Sequence, residues 1–167
     1  MALSINITSN VKIVQARYIK FINKFPQIIK MGLDQAGENL KTIIVDRTHK
    51  RGLDMNNRKF IGYSPYYQEL KGKSKVDLMD SNRMLQSIAS RVVSSNKAEV
   101  YFRSQREATK AFWHQTGQGK LPVRKFFGFN KKVEKLIKKN YERFLNKQIK
   151  SMKIWVLEKI LQVIWYQ

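Results

Sequence analysis

The sequence predicts an α+β domain in which N-terminal helices and a long C-terminal helix pack on a small antiparallel β-sheet. Three observations carry this expectation. Apolar residues recur at steps of three and four near both ends of the chain, and an alternating pattern occupies its middle. In addition, 43% of the 167 residues are hydrophobic, and a chain of this length buries roughly two-thirds of its unfolded surface. The expected organisation is one domain over residues 1–167, with 52–80 a long loop or arm and 148–167 an apolar helical extension.

Ser9 or Asn10 is placed to cap a first helix whose apolar positions are Val11, Val14, Tyr18, Phe21, Ile22 and Phe25. Pro26 is expected to break or restart it. A second helix then runs through Ile29, Leu33, Ala36, Leu40, Ile43 and Ile44. It ends at His49-Lys50-Arg51-Gly52, a basic cluster and glycine suited to the negative end of a helix dipole. Gly32 and Gly37 lower its propensity. From Gly52 to Asp80 neither helical nor strand periodicity survives, so this stretch reads as a long loop. Loops of that length usually carry contacts, which makes Phe60, Tyr63, Tyr66 and Tyr67, interleaved with Lys59, Lys71, Lys73 and Lys75, candidates for meeting a neighbour.

Asp80 or Ser81 is expected to cap a short helix containing Met84, Leu85 and Ile88. A hairpin follows, from Ser90 to Ser94, a Ser-Asn-Lys turn, and Ala98, Val100 and Phe102 alternating with polar neighbours. Ser104 caps a helix over Glu107 to Gln115 that Gly117 and Gly119 close. Pro122 opens an extended piece through Phe126 and Phe127, and Asn130 caps the last helix. That helix is expected to run from Lys131 to the end, roughly 55 Å. Its apolar stripe includes Val133, Tyr141, Ile149, Met152, Val156 and Ile160. Beyond Ile154 it turns apolar on several sides, with Trp155 and Trp165 added, and such a surface needs a covering partner.

The charge is extreme: 33 Lys and Arg against 12 Asp and Glu give a net +21. Twelve basic and two acidic residues lie between Lys120 and Lys153, so nearly half the excess sits in one loop and helix. An anionic neighbour would relieve the self-repulsion; lysine-rich base composition is the alternative origin. There are no cysteines and two histidines, which excludes a disulfide framework and a thiolate metal site. The N-terminus does not read as a secretory signal, no stretch reaches the ~20 apolar residues of a membrane span, and an intracellular or assembly setting is expected. Phosphate-binding, dinucleotide and hydrolase motifs are all missing, so neither enzyme activity nor a cofactor is expected. Asp77 and Asp80, three apart at a loop-to-helix junction, are explained better by capping than by a shared metal ion. His114 beside Trp113 reads as a packed or interfacial residue.

Three short motifs occur in order. Asp77-Leu78-Met79-Asp80-Ser81, with Met84-Leu85 and Ser87-Ile88, follows Phe60, Tyr63-Ser64 and Tyr67. After the hairpin come His114-Gln115-Thr116-Gly117 and then Leu121-Pro122-Val123-Arg124-Lys125-Phe126-Phe127-Gly128-Phe129. This arrangement, over about residues 60–147, resembles the virion morphogenesis or tail-completion proteins of Mu-like and related tailed phages. Asn82 stands where the family often has glycine, and Asn tolerates the left-handed conformation such a turn needs. Lys125 replaces the usual proline after the arginine, and Ala111-Phe112 the common tyrosine and alanine before the histidine.

The resemblance implies a structural neck protein that joins head to tail as a ring, a hexamer or dodecamer, assembled in the host cytoplasm and retained in the virion. Its implied partners are copies of itself, a portal, adaptor or stopper, tail terminator or tube proteins, and genomic DNA in the channel, with no membrane. The expected subunit or partner interface comprises Phe60, Tyr63, Tyr66, Tyr67, His114, Arg124, Phe126, Phe127, Trp155 and Trp165. Arg124 reads either as an anchor pairing with a carboxylate across a subunit boundary or as an exposed loop arginine. Contact with DNA or an acidic partner is expected at Lys131, Lys132, Lys135, Lys138, Lys139, Arg143, Lys147 and Lys150. The alternative function is nucleic-acid binding through this same helix; a weaker one is attachment to a membrane surface through Trp155 to Tyr166.

Overall fold

The computed structural model describes residues 11–151 apart from Lys73, with side chains described from residue 15 onward. The expected cap at Ser9 or Asn10, Trp155, Trp165 and the apolar end beyond Ser151 lie outside the described residues. Within them the chain is an α+β fold of five helices and a two-stranded antiparallel sheet. The elements are α1 (Val11–Arg51), α2 (Pro65–Lys71), α3 (Arg83–Gln86), β1 (Ile88–Ser94), β2 (Lys97–Phe102), α4 (Gln105–Thr116) and α5 (Lys131–Ser151).

The expected break at Pro26 is corrected: α1 is one helix of 41 residues with Pro26 inside it. Proline removes one backbone donor and crowds the carbonyl four residues back. Here it lies on an exposed face, while Phe21 and Ile28 are buried on the packing face. Burial on either side therefore carries the helix through a position its own propensity opposes. The glycines that weaken α1 locally are contact points. A Cβ at Gly32 would lie 2.7 Å from the Tyr141 ring of α5, and one at Gly37 would lie 3.0 Å from Ser90 Cβ of β1. Helix α5 thus packs on α1 rather than on the sheet, and the sheet packs on the adjoining stretch of α1.

The hairpin pairs Ile88 with Phe102 and Val92 with Ala98, with an irregularity between Val92 and Ser94. Ile88, expected in the preceding helix, instead opens β1. That helix, α3, starts after Asn82 and not after Asp80 or Ser81, and Asn82 makes no side-chain cap. Asn82 does adopt the left-handed conformation, with φ 60°. Ser104 and Asn130 cap as expected: the Ser104 hydroxyl accepts from Glu107 N, and Asn130 Oδ1 accepts from Lys132 N and Val133 N.

The reading of 52–80 as a long loop or arm is also corrected, since α2 lies within it. Asp54 Oδ1 accepts from the amides of Asn56 and Arg58 to close a turn, Ser64 caps α2, and Val76, Asp77 and Leu78 are buried. Val76 and Leu78 join Ile44, Met84, Leu85, Ile88, Ala111 and Phe126 in the core. Two alternating apolar residues, too few to register as a strand, fasten the segment to the domain. Replacing Pro26 by Ala restores a helix hydrogen bond on a solvent face without touching the core. We expect Pro26→Ala to raise unfolding stability by about 2–3 kcal/mol in urea denaturation; unchanged stability would mean that α1 accommodates the ring at no cost.

Candidate functional site

The sequence motifs meet because two buried arginines hold loop backbone. Arg124 is 3% exposed. Its Nε and Nη2 donate to Ile61 O at 3.1 and 3.0 Å, and Nη2 also donates to Gly62 O at 3.1 Å. The guanidinium lies 5.1 Å from the centre of the Tyr63 ring. Arg47 of α1, 4% exposed, donates through Nη2 to Phe126 O at 2.7 Å and Gly128 O at 2.8 Å. Burial pulls the pKa of both groups down; Asp54 opposes this at Arg47, and Tyr63 and Tyr67 oppose it at Arg124. Both stay protonated, since an arginine is not deprotonated in a protein.

Segments 114–117 and 122–127 interlock directly. The Gln115 side chain donates to Phe127 O at 2.8 Å and accepts from Phe127 N at 3.2 Å, and Arg124 N donates to His114 O at 2.7 Å. Gly117, at φ 71°, ends α4 in the left-handed conformation; a Cβ there would meet Val123 Cγ2 at 2.8 Å. These contacts give a physical reason for the spacing of the second and third motifs.

Tyr63 is the hub of the 60–80 segment. Its carbonyl accepts from Gln68 Nε2, its hydroxyl accepts from Lys71 Nζ, and its ring meets Tyr67 edge-on at 4.9 Å. Lys71 Nζ also pairs with Asp77 Oδ1 at 2.5 Å, with both side chains nearly buried. Burial disfavours the Lys71 ammonium, but hydrogen bonds to Asp77 and Tyr63 outweigh it and its pKa is raised. Asp77 Oδ1 further accepts from Met79 N. This closes a turn around Leu78, which sits at φ 50°, a conformation costly for a leucine and one that needs firm surroundings.

Together these segments enclose a cleft of about 540 Å³. It is lined by Glu107, Lys110 and His114 of α4, by Tyr63, Tyr66 and Tyr67, by Asp80, Ser81 and Asn82, and by Lys120 to Pro122 with Arg124. Glu107 is 5% exposed and takes Lys110 on Oε1 at 3.1 Å, while its Oε2 has no hydrogen-bond partner among the described residues. His114 Nδ1 likewise has none. Among the described residues no three His, Asp or Glu side chains gather as metal ligands.

The expected interface residues divide. Tyr66, 76% exposed, and the half-buried Tyr63, Tyr67 and His114 line the cleft. Phe126 is fully buried, and the half-buried Phe60 and Phe127 pack on the core around it; Phe102 and Phe127 lie 4.6 Å apart. Arg124 corrects both readings made of it: it is buried, and its Nε and Nη2 hold the Ile61 and Gly62 carbonyls of its own chain instead of a carboxylate across a subunit boundary. The eight basic residues from Lys131 to Lys150 do not join the cleft. All are exposed on α5, and among the described residues only Lys138 of the set has an ion-pair partner, Glu134 at 2.8 Å. Arg47 and Glu107 escape sequence reading. Arg47 is signalled by its place three residues after Ile44 on the buried stripe; Glu107 looks like an ordinary first-turn acid.

Comparison with family models, curated proteins and solved structures found no match. No helix among the described residues is long and apolar enough to cross a membrane.

The pKa of His114 is lowered from its ordinary 6.5, chiefly by burial and then by the charge of Arg124. The unfolded chain therefore takes up this proton more readily. The contribution of His114 to stability is complete above about pH 6.5 and is lost as pH falls through its lower folded value. Thermal melts from about pH 7 down to about pH 5 should show this loss, and His114→Gln should flatten it; an unaltered slope in the variant would contradict this account of the cleft.

Proposed function

We propose that this chain is a neck or tail-completion component of a tailed-phage virion that assembles as a ring at the head-to-tail junction. The observation that carries the reading is convergence. Three motifs spread over residues 60–129 supply the walls of one cleft and the clamps that shape it. A resemblance confined to unrelated surface positions would have no such physical reason.

A second feature supports the assembly role. Several apolar side chains of the same segments are exposed, among them Ile61, Leu70, Trp113, Val123 and Leu121, the last of which lines the cleft. Exposed apolar area of this kind marks a surface that another protein covers. Head-to-tail association of identical chains closes into a ring when the rotation between neighbours divides a full turn. In such a ring the mechanism is assembly, with apolar and charged contacts stacking one ring on another around the channel for the genome.

Native mass spectrometry of the full chain, joined to electron microscopy of particles carrying it, tests the proposal. The expected result is a closed ring of one stoichiometry, located at the neck. A stable monomer absent from particles would overturn it.

A further inference from the structure

The Arg47 guanidinium has more donors than its own chain uses. Nη2 holds the Phe126 and Gly128 carbonyls, whereas Nε and Nη1 are buried with no hydrogen-bond partner among the described residues. Buried donors left unmatched cost their lost hydration, and a cationic group is matched best by an anionic acceptor. Arg47, although 4% exposed, belongs to the lining of a separate cleft of about 520 Å³ between the end of α1 and the start of α5. Arg51, Lys132 and Asn57, all exposed, line the same cleft. Asp46 is the acid in that lining, and it is tied to Lys50 at 2.9 Å; Glu134, on the first turn of α5, is tied to Lys138. Asp54, whose charge acts on Arg47, uses one carboxylate oxygen on the Asn56 and Arg58 amides. Three cations against one acid that is already paired leave this cleft short of an anion.

The cleft stands at one end of a longer basic track. A Cβ at Gly32 would meet Tyr141 and Phe144, and Arg17, Lys20 and Lys24 of α1 form a further cleft with Gln148 and Ser151 of α5, so the two helices run antiparallel. The lining of that far cleft holds three exposed cations and no acid. Between the two, Lys132, Lys139, Arg143 and Lys150 recur at steps of seven, four and seven, which keeps them on one line of α5. None of the four has an ion-pair partner among the described residues, and the line is roughly 27 Å long at 1.5 Å per residue. A row of this length suits a polymer with evenly spaced anions better than one small ion. Neither cleft has an aromatic side chain in its lining on which an unpaired base could stack, so a duplex backbone fits it better than a single strand.

We propose that the junction of α1 and α5 is a phosphate site for duplex DNA. Arg47, Arg51 and Lys132 take one backbone phosphate, and the line of Lys139, Arg143 and Lys150 follows the same backbone toward the cleft of Arg17, Lys20 and Lys24. The apolar Val133 and Leu136, also in the first cleft, lie against the sugar that carries the phosphate. The site is complete within one chain and does not depend on ring formation.

The test is fluorescence anisotropy of the full chain with a labelled duplex of about 20 base pairs, titrated at salt concentrations from about 50 to about 200 mM. Arg51→Gln and Lys132→Gln, both at exposed positions, should each reduce the slope of log affinity against log salt by about one, so that the loss of affinity across this range becomes about threefold smaller. Arg106→Gln removes the same charge from an exposed position on α4 and should leave the slope unchanged. In NMR spectra the Nε–H signal of Arg47 should move as the duplex is added. Unchanged slopes in Arg51→Gln and Lys132→Gln, an equal effect of Arg106→Gln, or an unmoved Arg47 signal would overturn the site. Poly-glutamate of matched charge that binds as tightly, with the same dependence on Arg51 and Lys132, would assign the track to an acidic protein and overturn the DNA reading.

Discussion

A guanidinium group buried among carbonyl oxygens is the constraint on which this structure depends. Most of the chain between α1 and α5 is neither long helix nor extended sheet, and its backbone carbonyls need donors if it is to be buried. Arg47 and Arg124 each bridge two carbonyls of such segments, Phe126 with Gly128 and Ile61 with Gly62. Taking a charge out of water costs several kcal/mol. Charged hydrogen bonds return roughly 1.5–3 kcal/mol each, and at Arg124 the Tyr63 ring adds a cation–π contact. Both arginines are held through carbonyl oxygens, which suits a chain with few acids. In chain order the links run from α1 through Arg47 to the 126–128 segment, and through Arg124 to the 60–80 segment. The cleft is the space these tethered pieces leave against α4.

The balance of charge follows from that arrangement. Arg47, Arg124 and Lys71 are used internally, and the surplus of cations is displayed on the surface, most densely on α5. Its exposed row from Lys131 to Lys150 would repel an identical row. The cleft is a different kind of surface, where Asp80 and the unsatisfied oxygen of Glu107 stand beside Lys110, Lys120 and Arg124.

Local signals in the sequence are legible. Alternation from Ala98 to Phe102 marks the hairpin, Ser104 and Asn130 mark helix starts, and Asn82 signals a left-handed residue. Each depends on neighbours within about four positions. What escapes depends on residues far apart in the chain. Continuity of α1 through Pro26 comes from burial of Phe21 and Ile28, not from propensity. Gly32 and Gly37 look like flaws until α5 and β1 are set against them. The 52–80 segment looks free because Val76 and Leu78 are only two apolar residues, and its anchor, Arg124, lies some sixty residues away. Of the candidate site, the tyrosines and His114 can be found from sequence; the acceptor Glu107 and the clamp role of Arg124 come from structure.

The clamp itself is most directly tested by hydrogen exchange on Arg124→Lys, which keeps the charge and removes the planar fork. Local loosening is expected: the amides of Phe60, Gln68 and Met79 exchange at least about tenfold faster, while those of α5 and the hairpin keep their rates. Unchanged protection at Phe60, Gln68 and Met79, or an equal loss of protection across the whole molecule, would contradict it.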